Sequence, residues 1–140
     1  MKNYLKKRKN KKGFTLVELV IVIAILGILA AVAVPTITNV ISSANTSADN
    51  SNAQTVELAL KSSYAELVAG TWKPDGVTPD SLTVAAALGH AGITALPEIK
   101  QGSGYAYHYV DGKITIANTG DTTFTYSAAK PTVKTIINAS

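Results

Sequence analysis

The sequence predicts an α+β fold, in which one long N-terminal helix packs against a C-terminal antiparallel β-meander of three to four strands. Three observations predict it. Residues 14–34 form an apolar run, residues 37–67 carry apolar side chains at steps of three and four, and from Tyr105 the period changes to two around Asp111-Gly112. A chain of 140 residues is long enough for one domain with a modest core, and a second independent domain is not expected.

The positive charge is confined to one end. Residues 1–13 carry seven Lys/Arg (Lys2, Lys6, Lys7, Arg8, Lys9, Lys11 and Lys12) and no acid, while residues 14–140 carry six Lys against nine Asp/Glu, a net of −3. Nucleic-acid binding needs cations clustered on a folded surface, so direct nucleic-acid binding by the body of the chain is not expected. No cysteine is present, which excludes disulfides, thiolate metal sites and Cys nucleophiles.

Residues 14–34 hold a single ionisable side chain, Glu18. As a helix they span about 31 Å, the thickness of a bilayer's hydrocarbon core. The leader cations keep the N-terminus cytoplasmic, so the chain after Pro35 lies outside. A secretory signal peptide or a plain single-span anchor would account for the length. Neither accounts for Glu18, because an intramembrane carboxylate is costly and calls for a partner. No cation follows within helical reach. A cut between Gly13 and Phe14 would create an α-amino group four residues from Glu18, able to neutralise the carboxylate of a neighbouring copy when apolar helices pack.

The stretch Lys12-Gly13-Phe14-Thr15-Leu16-Val17-Glu18-Leu19, continuing through Gly27-Ile28-Leu29-Ala30-Ala31 to Val34-Pro35, resembles the class III signal of type IV pilins. The likeness is close over residues 7 to about 40 and general beyond them. It implies a leader, 1–13, removed by a prepilin peptidase after Gly13, with N-methylation of the exposed Phe14. It implies that Glu18 sets filament register by pairing with the methylated amine of an adjacent subunit. It implies partners as well: other copies in a helical filament, the peptidase/methyltransferase, an assembly platform with its ATPase, and membrane lipid before assembly. Many Gram-negative pilins close a C-terminal disulfide. Its absence here, with the long Lys-rich leader, points to a Gram-positive source.

Gly27 and Pro35 are the weakest helix formers of the segment 14–35. They fit either local melting of residues 28–34, which the resemblance associates with assembly, or close helix packing at Gly27 with a kink at Pro35. The helix then continues over 36–69. Apolar residues fall at Ile37, Ile41, Ala44 and Ala48, then at Ala53, Val56, Leu60, Tyr64 and Leu67, with a five-residue step between the two series. Gly70 and Pro74 end it near residue 69.

Residues 70–104 read as a connecting loop. Gly70, Pro74, Gly76 and Pro79 punctuate it, and a short helix at 82–88 is capped by Ser81. Residues 105–140 read as the sheet. The Asp111-Gly112 turn pairs Val110 with Lys113, Tyr109 with Ile114 and Tyr107 with Ile116, so Tyr and Ile side chains face the helix and His108 and Thr115 face out. Residues 122–127 make a third strand after a turn at Asn118 to Asp121, and residues 132–137 make a fourth.

His90 and His108 read as solvated or hydrogen-bonded rather than metal-ligating. Asp75, Asp80, Asp111 and Asp121 sit in turn-like segments, with no calcium-loop spacing. Tyr64, Tyr105, Tyr107, Tyr109 and Tyr126 read as core, and Trp72 receives no assignment. Asn45-Thr46-Ser47 and Asn138-Ala139-Ser140 fit a glycosylation sequon. No nucleophile, base and acid set, phosphate loop, cofactor site or metal site is visible, so catalysis is not expected. The reading is a structural subunit of a type IV pilus, inserted in the cytoplasmic membrane as a precursor and then displayed on the cell surface in a filament serving adhesion, aggregation or twitching motility. Two alternatives are a pseudopilin of a secretion or DNA-uptake machine and a single-span surface protein that never polymerises.

Overall fold

The computed structural model describes residues 13–120 and 122–138. The leader cations through Lys12, the turn residue Asp121 and the sequon positions Ala139 and Ser140 lie outside the described residues. In chain order the elements are α1 (Leu16–Ala69), α2 (Val84–His90), β1 (Ala106–Val110), β2 (Lys113–Ala117) and α3 (Val133–Ile137). The layout is α+β, and the chain divides into two compact units between Val40 and Ile41.

The first unit contains the apolar part of α1. Its side chains are exposed throughout, and α1 continues through both Gly27 and Pro35. Proline withholds one backbone donor from the helix. Nearby hydroxyls add bonds of their own: Thr36 Oγ1 donates to the Val32 carbonyl at 3.1 Å, and Thr38 Oγ1 donates to the Pro35 carbonyl at 2.9 Å.

The second unit has its own core. Ala53, Val56, Ala59 and Leu60 of α1 pack with Leu82, Val84, Ala87 and Leu88 around α2, with Tyr107, Ile114, Ile116 and Phe124, and with Val133 and Ile136 of α3. The predicted helix is present throughout, and of its two apolar series only the one from Ala53 onward lines this core. Ile37, Ile41, Ala44 and Ala48 are exposed, and the buried position one turn ahead of Ala53 is Asp49. A carboxylate can occupy it because two loop amides satisfy it. Lys100 N donates to Oδ1 at 2.7 Å and Gln101 N to Oδ2 at 2.9 Å. Ser63, also buried, donates to the Ala87 carbonyl at 2.7 Å and ties α1 to α2.

α1 ends where Gly and Pro predict. Gly70 adopts φ +74°, its amide donates to Leu67 O at 3.2 Å and the Thr71 amide to Glu66 O at 3.0 Å, which is the Schellman pattern. The short helix begins later than expected. Thr83, not Ser81, is its cap, accepting the Ala86 amide at 3.3 Å. Ser81 instead closes the preceding turn, its Oγ accepting the Thr78 amide at 2.9 Å.

The hairpin has the predicted register, with Val110 opposite Lys113, Tyr109 opposite Ile114 and Tyr107 opposite Ile116. Asp111 and Gly112 take φ +52° and +69°, the positive pair that a two-residue turn of this kind requires. The strand count is lower than expected, since the sheet has two strands. Residues 122–124 run beside β1 through one bridge, His108 to Thr123, and two backbone bonds, Tyr109 N to Thr122 O at 3.0 Å and Phe124 N to Tyr107 O at 3.1 Å. Beyond Phe124 the Tyr126 hydroxyl donates to the Ile93 carbonyl at 3.3 Å, leading the chain away from β1. The expected fourth strand is α3. Val133 and Ile136, three residues apart, both bury themselves, a spacing that only a helix puts on one face.

His108 was expected to face solvent and is buried. Gly120 covers it so closely that a Cβ there would lie 2.8 Å from its Nδ1. That nitrogen has no hydrogen-bond partner among the described residues. Thr115, opposite it, is exposed as expected.

Candidate processing and assembly site

Gly13, Phe14 and Thr15 precede α1 in non-helical, exposed backbone, and Phe14 keeps 86% of its surface in solvent. Thr15 starts the helix. Its Oγ1 accepts the Glu18 amide at 3.2 Å and its carbonyl accepts the Leu19 amide at 3.2 Å. Glu18 therefore stands at the third helical position, where a carboxylate is favoured by the positive end of the helix dipole. Its side chain is exposed, and no ion pair among the described residues includes it. Gly13, Phe14 and Glu18 stand out from the sequence, whereas the Thr15 cap is seen only in the structure. The signal was present, because Thr15-Leu16-Val17-Glu18 has the Thr-x-x-Glu form of a capping box.

α1 is the one helix among the described residues long and apolar enough to cross a membrane, and none of its most apolar window is buried. Gly27 meets no neighbouring atom at the place of a Cβ, so its lack of a side chain relieves no contact within the chain.

Several of the other side chains considered above have structural partners. His90 Nε2 and Glu66 Oε2 are 2.7 Å apart, and the Trp72 ring stacks on His90 at 4.0 Å and 9°. Trp72, unassigned from sequence, thus covers the edge of the core. The bond from His90 holds the Glu66 carboxyl below its ordinary range. Asp80 pairs with Lys134, and Asp111 forms the hairpin turn. Asp75 is exposed in the connecting segment. Tyr107 is buried against α1, and its hydroxyl donates to the Pro97 carbonyl at 3.0 Å. Burial, and secondarily the Asp49 carboxylate, pushes its pKa up to about 12. Among the described residues no group of three or more His, Asp or Glu is placed to hold a metal ion.

No solved structure matches the chain. Residues 8–34 match the prokaryotic N-terminal methylation motif. The motif implies processing by a prepilin peptidase and assembly into pilus-like polymers, and its family is one of structural subunits rather than enzymes. The matched segment contains the exposed Gly13–Phe14 bond, the Thr15 cap, Glu18 and the apolar run in one block, and with it the chain carries the class III signal peptide of type IV pilins.

Proposed function

We propose that the chain is a structural subunit that polymerises through its N-terminal helix into a type IV pilus on the cell surface. The observation that carries this reading is the bare apolar surface of α1 directly after the Gly13–Phe14 bond, inside the matched methylation motif. Before assembly, lipid covers that surface. After removal of residues 1–13, the helices of neighbouring copies cover it, and the energetic gain comes from close helix packing that keeps those side chains out of water once the copies leave the membrane. Glu18 then accepts the N-methylated amine of Phe14 from an adjacent copy, which fixes the stagger between subunits because an unpaired carboxylate is costly in an apolar bundle. Gly27 and Pro35 supply the place where α1 can lengthen during assembly. Filament partners, the assembly platform and its ATPase act on this helix. Adhesion, aggregation or motility would belong to the filament rather than to the isolated subunit.

Electron microscopy of sheared surface material, with N-terminal sequencing of its dominant band, tests the reading. Long filaments whose subunit begins with N-methylphenylalanine at Phe14 are the expected result. A chain that keeps residues 1–13 overturns it, and processed chains found only in short membrane-bound assemblies would make the protein a pseudopilin.

A further inference from the structure

The helix that carries the apolar run has a defined starting point. Thr15 closes its first turn by accepting the Glu18 amide at 3.2 Å, and Gly13 and Phe14 remain outside it, exposed. We propose that Thr15 is a positioning residue for leader removal, stopping α1 short of the Gly13–Phe14 bond so that this bond stays in backbone a peptidase can attack. The inference rests on the reading of Gly13–Phe14 as the scissile bond.

Hydrolysis adds the oxygen of water to the Gly13 carbonyl carbon and breaks the carbon–nitrogen bond. Gly13 leaves as a carboxylate and Phe14 as an amine. The attack needs an unobstructed carbonyl. In a helix begun one turn earlier, the Gly13 carbonyl would accept the Val17 amide, the ordinary four-residue bond, and its carbon would lie against the next turn. The residues on either side favour such an extension, since Leu16, Val17, Glu18 and Leu19 follow and Lys11 and Lys12 precede. Two residues oppose it. Gly13 is a poor helix former in a helix interior, and Thr15 gives the helix a side-chain oxygen that accepts the amide of its third residue, which neither Phe14 nor Gly13 has. Glu18 is drawn into the same device through its backbone, independently of any role for its carboxylate between subunits.

The test follows removal of residues 1–13 by mass spectrometry in membranes that hold the full chain and a prepilin peptidase. T15A lacks the capping oxygen and is expected to be cut about fivefold more slowly, the population factor that one capping bond commands. T15S and T15N, which cap with different shapes, are expected to be cut at close to the wild-type rate. Hydrogen exchange at the Val17 amide in detergent, the donor that the Gly13 carbonyl would accept in the longer helix, is expected to slow in T15A alone. A T15A chain cut as fast as a cut wild type overturns the inference. So does T15N cut as slowly as T15A while T15S is not, because the peptidase would then be reading a hydroxyl and not the start of a helix. A wild-type chain left uncut overturns the reading of the scissile bond, and this inference with it.

Discussion

Asp49, on α1 and without solvent exposure, accepts the backbone amide of Lys100 at 2.7 Å from a chain segment fifty-one positions away. The same carboxylate accepts the Gln101 amide, so one side chain holds the end of the connecting segment onto the helix before β1 begins. Burial alone would raise its pKa. The two amides, with the nearby Lys100 charge, outweigh burial and hold it below the ordinary carboxylate value.

Substituting Asp49→Ala should therefore destabilise the second unit by about 2 to 4 kcal/mol, because two loop amides lose a buried acceptor. Asp49→Asn keeps one acceptor and should cost less. The sign of the pH effect follows from the lowered pKa. Asp49 contributes stability at pH above about 4, where the unfolded carboxyl is ionised, and that contribution is lost as pH falls through the lower native value. Urea midpoints measured from pH 7 down to pH 2 should show a weaker acid decline in Asp49→Asn than in the wild type.

Tyr107 gives the alkaline counterpart. Its native pKa of about 12 exceeds the ordinary phenol value of about 10, so its contribution is complete below pH 10 and is lost between pH 10 and 12. Tyr107→Phe should cost about 1 kcal/mol at neutral pH through the lost bond to Pro97 O, and should flatten that alkaline decline. The same denaturation series, extended upward in pH, reads both effects.

At the hairpin, Gly112 combines φ +69° with contact against α3, where a Cβ would stand 2.6 Å from the Ile137 carbonyl oxygen. Gly112→Ala should lower stability by about 2 kcal/mol or more, since backbone strain and a backbone clash add. Asp111→Asn, one residue earlier at φ +52°, should change it by less than about 0.5 kcal/mol because Asn tolerates that conformation. Thermal unfolding of the two variants beside the wild type makes the comparison.

Glu18→Leu separates processing from polymerisation. The Gly13–Phe14 bond and the Thr15 hydroxyl are unaltered, so leader removal should continue. The proposed ion pair between copies would be lost, and filament yield by electron microscopy should fall about tenfold or more. Fibres of normal abundance and length would rule out an electrostatic role for Glu18 in register.

The parts of this molecule legible in its sequence are those decided by neighbours in the chain. Asp111-Gly112 sets a turn and a register within a few residues, and Gly70 with Pro74 ends α1 on the same local terms. The apolar run and Glu18 are legible because a lone carboxylate conflicts with its surroundings. What escaped was decided at long range. Nothing in residues 37–60 announces that the buried position is Asp49 rather than Ala48, because its partners lie at Lys100 and Gln101. The stretch Val133 to Ile137 is rich in β-branched residues and reads as a strand, yet two buried side chains three apart impose a helix. His108 is covered by Gly120 and bridged by Thr123, both far along the chain, and alternation within β1 could not show it.

Among the described residues, no buried side chain precedes Asp49. Cutting the gene so that translation starts at Ile41 would accordingly sacrifice no interior packing, while discarding the entire greasy stretch that demands detergent. The fragment so obtained should carry the acid, alkaline and hairpin measurements into aqueous calorimetry.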